Sequence, residues 1–167
     1  MRTVLVCPLS ERYYCWDEFT RGVLRLVYDP RSTDILFLVD SESPTFLTLA
    51  RELLAALPGK KKKMVINPAM RLSGSGDETE THPQVYAKHQ YIADIYNRAL
   101  AHPLVKSADA WLSVEDDVYV PPDTYEKLKE TLSKDQKIAQ VSGRLIYRYP
   151  GSRGWALAWK GMEVDQQ

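Results

Sequence analysis

The sequence predicts an α/β fold in which helices cover both faces of a mostly parallel sheet. Short apolar runs rich in β-branched residues alternate with stretches whose apolar residues recur at helical spacing. The apolar runs are continuous, which is typical of parallel strands buried on both faces. This alternation continues to about residue 135, and strand-like runs dominate after residue 138. Because no repeat or linker divides the 167 residues, we predict one domain.

Each predicted strand is a β-branched or apolar run that ends at a turn-forming or polar residue. The predicted strands of the alternating part are Thr3–Cys7, Ile35–Val39, Met64–Ile66 and Ala110–Val114. Four helices are predicted from apolar stripes, which are Phe19-Val23-Leu26-Val27, Phe46-Leu47-Ala50-Leu53-Leu54-Leu57, Val85-His89-Ile92-Tyr96-Ala99 and Tyr125-Leu128-Leu132. Residues 138–141 and 145–149 are predicted as later strands, and residues 67–83 form a long segment without apolar periodicity.

The composition excludes several classes of protein. Lys plus Arg and Asp plus Glu are both 22, so no overall basic field would recruit nucleic acid or an anionic membrane. Two cysteines are too few for a disulfide framework, and no Cys or His spacing indicates zinc. No apolar run has transmembrane length or the form of a signal peptide, so we expect a cytoplasmic protein.

Acidic residues follow three of the four predicted strands. Ser10-Glu11-Arg12 follows the first strand, Asp40 the second, and Glu115-Asp116-Asp117 the last. In open α/β sheets, ligands bind beyond the carboxyl ends of the strands. Adjacent carboxylates repel one another unless a positive group is present, and Mg²⁺ or Mn²⁺ favours hard carboxylate oxygens. The pattern predicts a crevice for a divalent cation that carries a polyphosphate, although Asp40 alone could equally cap the next helix.

Four stretches in this order resemble the GT-A glycosyltransferases, which use nucleotide-sugar donors. They are "TVLVCPLSER", "DILFLVDSES", "YAKHQYIADIYNRALAH" and "ADAWLSVEDDVYVPPDTYEKLKETL", the last being similar to the Asp-x-Asp strand of the group. The resemblance covers roughly residues 2 to 145 and implies a Rossmann-like GT-A fold. It implies a donor- and metal-binding part over residues 1–135 and a short acceptor-side segment over 136–167.

The resemblance also implies roles for individual residues. Asp117 would reach Mn²⁺ or Mg²⁺, with Glu115 and Asp116 toward the ribose and the waters of the metal. Asp40 would contact the nucleobase. The remaining donor-binding candidates are Pro8, Ser10, Arg12, Arg71 and Lys88. Glu163 and Asp165 are candidates for the catalytic base because they are the only acidic residues after Asp135.

The predicted activity is metal-dependent transfer of a sugar from a UDP- or GDP-sugar. The acceptor stays open among a glycan, a protein, a small molecule and a modified nucleic-acid base, as does the oligomeric state. One alternative is a donor-binding module that needs a partner for transfer. Another is a nucleotidyltransferase, although "PLSERYYCW" lacks the glycines expected of a triphosphate-binding loop.

Overall fold

The chain forms a four-stranded sheet in which every strand is parallel to its neighbours. A computed structural model describes residues 1–66 and 82–134, with side chains described from Gln90 onward in the second range. The strand order is β3-β2-β1-β4. The elements are β1 (Thr3–Leu9), a 3₁₀ turn (Tyr13–Cys15), α1 (Trp16–Leu24), β2 (Thr33–Val39), α2 (Pro44–Ala56), β3 (Lys62–Ile66), α3 (His82–Ala101), α4 (Pro103–Lys106), β4 (Ala110–Ser113) and α5 (Thr124–Ser133).

Helices cover both faces of the sheet, as predicted. Alternate residues of a strand point to opposite faces, so Leu5 and Cys7 pack on one side and Val4 and Val6 on the other. The first face is covered by apolar residues of α1, α2 and α5, namely Phe19, Val23, Phe46, Ala50, Leu53 and Tyr125. The second face is covered by Ile95 and Ala99 of α3 and by Leu104 and Val105 of α4. This double burial explains why the two central strands, β1 and β2, are largely apolar.

The first strand continues through Pro8, whereas the sequence predicted that it stops before this proline. Val6 accepts a hydrogen bond from Val114, and Leu9 accepts one from Asp40, so residues of even number face β4 and those of odd number face β2. Pro8 therefore lacks its N–H on the β4 side. The last β1–β4 pair joins Val6 to Ser113. No residue of β4 therefore pairs with Pro8, and the missing N–H of this proline breaks no hydrogen bond of the sheet.

Two of the predicted helical stripes need correction. Val27 lies beyond the end of α1 and is 58% exposed, and Ile92 of α3 is 41% exposed. Ile95 takes the inward position on α3 instead and packs beside the buried Ala99. The short helix α4 was not predicted, because a four-residue helix carries too little periodicity. Of the helices described, none has the length and apolar character required to cross a bilayer.

Several predictions fall on residues that the structure does not describe. These are residues 67–81 of the segment 67–83, the strands at 138–141 and 145–149, and the acceptor-side segment over 136–167. The last two residues of the segment 67–83, His82 and Pro83, begin α3 instead. The single-domain assignment for residues 1–167 therefore stays a prediction.

Candidate functional site

The predicted site residues of the described chain gather at the carboxyl ends of β1, β2 and β4. We call this region the carboxyl edge, and we call Ser10–Arg12 the β1 loop because it directly follows β1. Since β1 lies between β2 and β4 in the sheet, the β1 loop has Asp40 on one side and the acidic triplet Glu115–Asp117 on the other. Pro8 lies just before this loop, inside β1.

The three carboxylates of the acidic triplet have different principal partners. Glu115 is exposed and accepts a hydrogen bond of 2.9 Å from the Tyr96 hydroxyl. Asp116 is buried and accepts hydrogen bonds from Ser10, and Asp117 is exposed and forms an ion pair with Arg12. Glu115 and Asp117 are exposed whereas Asp116 is buried, and Arg12 lies against both Asp116 and Asp117. The guanidinium and the hydrogen-bond donors of Tyr96 and Ser10 explain how three consecutive carboxylates are tolerated at the end of an apolar strand.

Asp116 connects β4 to the β1 loop. Its Oδ2 accepts a hydrogen bond of 2.6 Å from the Ser10 N–H, and its Oδ1 accepts one of 3.1 Å from the Ser10 hydroxyl. The thiol of Cys15 donates to the Asp116 carbonyl at 3.1 Å. Burial raises the pKa of the Asp116 carboxyl, and the bonds from Ser10 and the charge of Arg12 partly offset this rise. The side chain thus holds two segments of the carboxyl edge together from inside the protein.

Arg12 is the cation beside the acidic triplet. Its Nη1 forms the ion pair with Asp117 Oδ2 and lies 3.7 Å from Asp116 Oδ1. Burial would lower the pKa of the guanidinium, but the charges of Asp117 and Asp116 outweigh it and raise this pKa. Arg12 is therefore charged under all ordinary conditions. Its side chain is 34% exposed, and that of Asp117 is 38% exposed, so this ion pair lies at the solvent boundary.

The middle residue of the β1 loop contacts the β2 end of the carboxyl edge. Glu11 has a φ of 60°, a left-handed conformation that is uncommon for a residue with a side chain. Its Oε2 accepts a hydrogen bond of 2.9 Å from the Ser41 hydroxyl, and this hydroxyl also accepts one from the Ser43 N–H. Ser10, Glu11 and Arg12 therefore face different partners on both sides of β1, which fixes the β1 loop across the carboxyl edge.

Asp40 forms the β2 side of the site. Its N–H donates to the Leu9 carbonyl, and its carboxylate accepts a hydrogen bond from the Tyr91 hydroxyl. The cap of α2 is Ser43, whose hydroxyl accepts from the Phe46 N–H, so the alternative that Asp40 caps this helix does not hold. Burial raises the pKa of the Asp40 carboxyl, and the bond from Tyr91 partly offsets the rise.

A cleft open to solvent borders Asp40. It encloses only about 20 Å³, and its lining combines apolar side chains with two charged ones, in the set Leu38, Asp40, Val65, Ile95 and Arg98. Apolar walls with few polar groups match small-ligand sites in their chemistry, but this cleft is much smaller than such sites. The cleft lies between the second half of β2, the neighbouring β3 and helix α3.

Sequence reasoning missed the contribution of α3 tyrosines to the site. Tyr91 binds Asp40 and Tyr96 binds Glu115, whereas the sequence pattern assigned Tyr96 to an apolar stripe. Burial, followed by the effect of Glu115, raises the pKa of Tyr96 to about 12, so its hydroxyl remains a donor at neutral pH. The sequence did contain a signal for these contacts. A partly buried tyrosine requires a hydrogen-bond partner for its hydroxyl, and acidic residues that could accept such a bond stand at the predicted strand ends.

The remaining candidates lie where side chains are not described. Lys88 belongs to α3 by its backbone, and Arg71, Glu163 and Asp165 fall in the two undescribed ranges. Their predicted roles stay predictions.

The carboxyl edge presents carboxylate oxygens of the kind that a divalent cation binds. Among the described residues, no three His, Cys, Asp or Glu side chains are placed to hold a metal together. A Mg²⁺ or Mn²⁺ ion that keeps waters and substrate phosphates needs only one or two protein carboxylates. Asp117 suits this role because its hard oxygens reach solvent. The donor chemistry of Asp117 fits one ligand of such a cation, and the cation itself stays a prediction.

Comparisons with known proteins support the architecture. No protein-family model matches the sequence, and no curated protein matches it significantly. Among solved structures, S. aureus TarS, a glycosyltransferase, matches with a TM-score of 0.54 at 15% identity, over 89% of this chain and 23% of TarS. A complex of TarS 1–349 with UDP has the same TM-score and identity, and the match covers 89% of this chain and 38% of that one. The chain has a Rossmann-like α/β fold, which it shares with TarS. It spans less than two fifths of the TarS chains it matches.

Proposed function

We propose that this chain binds a nucleoside-diphosphate sugar at the carboxyl edge and transfers the sugar to an acceptor with the help of Mn²⁺ or Mg²⁺. The observation that carries the proposal is the placement of the Asp40 cleft and the exposed Asp117 at one edge of the sheet, on either side of β1. On the β2 side, the Asp40 cleft offers apolar walls for a flat base. On the β4 side, Asp117 offers a carboxylate for a cation. The β1 loop lies between them, where a diphosphate would pass.

The Asp40 cleft is proposed as the nucleobase site. A base would stack against the apolar lining while its ring N–H donates to the Asp40 carboxylate. The Tyr91 hydroxyl already donates to that carboxylate, which fixes its orientation before a ligand arrives. The fold is shared with TarS, for which a complex with UDP exists. UDP is therefore the first nucleotide to test, with GDP as the alternative.

Asp117 is proposed as the protein ligand of the cation. When sugar transfer breaks the bond between the anomeric carbon and the diphosphate oxygen, the departing nucleoside diphosphate gains negative charge. The bound cation would supply Lewis-acid stabilisation of that charge. The exposed Glu115, which Tyr96 holds at the same strand end, is proposed to face the ribose. Charge-assisted hydrogen bonds to phosphate oxygens would come from Arg12. Lys88 and Arg71, whose side chains are not described, are proposed to add further bonds of this kind.

The acceptor side is proposed to be built by residues 136–167. The acceptor must lose a proton as it forms the new bond to the anomeric carbon, and Glu163 and Asp165 are the proposed bases. The acceptor class stays open among those named above.

Thermal unfolding with a panel of nucleoside diphosphates tests the donor site. We expect UDP or GDP to raise the melting temperature in the presence of Mn²⁺ and to have little effect with chelator. A ligand at 100 times its dissociation constant adds about 2.7 kcal/mol to the free energy of unfolding. For a domain of this size that corresponds to roughly 5 to 10 °C. Nucleoside monophosphates serve as the control, because they lack the second phosphate.

If no nucleoside diphosphate raises the melting temperature, the proposed donor site is wrong. Stabilisation without any release of UDP from a UDP-sugar would favour the donor-binding module instead.

A further inference from the structure

We infer that Arg12 is an internal counter-ion that exchanges between Asp117 and the diphosphate of the donor, so that cation and nucleotide bind cooperatively. This inference rests on the proposed function and adds to it a specific role for the Arg12–Asp117 ion pair. It concerns the order and coupling of binding, which the proposed site alone does not determine.

The first observation is that Asp117, the carboxylate proposed to bind the cation, already has a positive group beside it. Arg12 pairs with Asp117, the exposed carboxylate of the acidic triplet. A divalent cation at the same oxygens would meet the positive guanidinium at close range, and the two would repel each other. Cation binding at Asp117 therefore requires that Arg12 leave, and the ion pair lowers the affinity of Asp117 for any cation.

The second observation is that Arg12 can leave while its loop stays. Ser10 is held by the buried Asp116, and Glu11 is bonded to Ser41. The backbone on the N-terminal side of Arg12 is therefore fixed on both sides of β1. The Arg12 side chain is 34% exposed and rotates about several single bonds, so that it can move without a change in the loop backbone.

The third observation concerns what the freed guanidinium would meet. Asp116 stays within reach of Arg12 but is already bonded to Ser10 and buried. A diphosphate that extends along the carboxyl edge from the Asp40 cleft toward Asp117 would pass the β1 loop, and guanidinium groups bind phosphate oxygens with charge-assisted hydrogen bonds. The nucleoside diphosphate thus offers Arg12 a new partner when the cation takes Asp117.

Thermodynamic linkage turns these contacts into a measurable coupling. If the cation releases Arg12 for the diphosphate, and the diphosphate draws Arg12 away from Asp117, each ligand raises the affinity for the other by the same factor. Couplings between binding sites are typically about 5- to 150-fold. Part of this factor would come from direct contact between cation and phosphate. The part that depends on Arg12 is isolated by mutation.

The experiment measures binding of Mn²⁺ by the loss of its free-ion EPR signal, with and without UDP. The proteins are the full chain and its variants Arg12→Gln, Arg12→Lys, Asp117→Asn and Arg21→Gln. We expect Arg12→Gln to bind Mn²⁺ alone about tenfold more tightly than the wild type and to show a smaller enhancement by UDP. Arg12→Lys keeps the charge and should keep the weak affinity for Mn²⁺ alone. Arg21, exposed on α1, controls for the loss of one positive charge.

The outcomes separate the inference from the proposed function. If Asp117→Asn abolishes Mn²⁺ binding but Arg12→Gln leaves the affinity for Mn²⁺ alone unchanged or weaker, the exchange is overturned while the cation site stands. If Asp117→Asn binds Mn²⁺ as the wild type does, the cation is not at Asp117, and both fall. An equal gain in Arg21→Gln would also overturn the exchange, because the effect would then be one of general charge. Melting curves of each variant confirm that it is folded.

Discussion

Replacement of Asp117 by Asn should abolish metal-dependent binding of the nucleoside diphosphate and leave the fold intact. The substitution keeps the shape of the side chain and removes the negative charge that a divalent cation requires. The loss for folding should be small, because the ion pair with Arg12 is partly exposed and such pairs contribute about 0 to 1 kcal/mol. Calorimetric titration with UDP in the presence of Mn²⁺ measures the loss, and thermal unfolding measures the stability.

Glu52→Gln is the matched control for this variant. Glu52 is exposed on α2, and its replacement removes one carboxylate charge outside the carboxyl edge. We expect the control to bind as the wild type does. Equal affinity for UDP and Mn²⁺ in Asp117→Asn would contradict the assignment of the cation to Asp117.

Replacement of Asp116 by Ala should have the largest effect on stability among the site residues. The truncation leaves the N–H and hydroxyl of Ser10 without the acceptors that they have in the wild type. A fully buried donor that loses its partner costs about 1 to 3 kcal/mol, and the half-buried Ser10 places the expected loss at the lower end, about 1 kcal/mol. Asp116→Asn retains an acceptor oxygen of similar geometry and should remain close to the wild type. Urea unfolding of both variants at pH 7 measures the difference, and equal stability of the two would show that Asp116 does not hold the β1 loop.

The pH dependence of the stability difference between the wild type and Asp116→Asn provides a second test, because the direction of its change is predicted. Burial raises the pKa of the Asp116 carboxyl above its ordinary value of 3.8, so the folded chain holds this proton more tightly than the unfolded chain does. The protonated side chain therefore favours folding at low pH, and this contribution is lost as the pH rises from about 4 through the raised pKa. Stability of the wild type relative to Asp116→Asn should decrease over that interval. An increase would contradict the direction of the shift.

The fold could be predicted because its signals are local. Strands buried on both faces must be continuously apolar, and the helices between them carry apolar stripes. The errors were at positions where contacts with a neighbouring strand or with the sheet decide the local structure. Pro8 continues β1 because β4 has already ended beside it. Ile92 is exposed and Ile95 inward on α3, since the angle at which a helix meets the sheet is not encoded in its period alone.

The placement of the acidic residues at one edge of the sheet could be predicted from the sequence, but their partners there could not. Asp40 and the acidic triplet stand at strand ends in the sequence, where parallel topology brings them to one edge. The partner of Asp116 is Ser10, 106 positions away along the chain. The sequence pattern treated the three carboxylates as one cluster that needs a metal. In the folded chain Tyr96 binds Glu115 and Ser10 binds Asp116, and the cation beside Asp116 and Asp117 is the guanidinium of Arg12.

A crystal structure of the chain with Mn²⁺ and the nucleoside diphosphate that stabilises it most would test the central claim most directly. Anomalous scattering at the manganese edge locates the cation independently of the nucleotide. The account predicts manganese within coordination distance of an Asp117 oxygen and of a phosphate oxygen, with the base in the cleft beside Asp40. Manganese or nucleotide bound away from the carboxyl edge, with Arg12 still paired to Asp117, would contradict it.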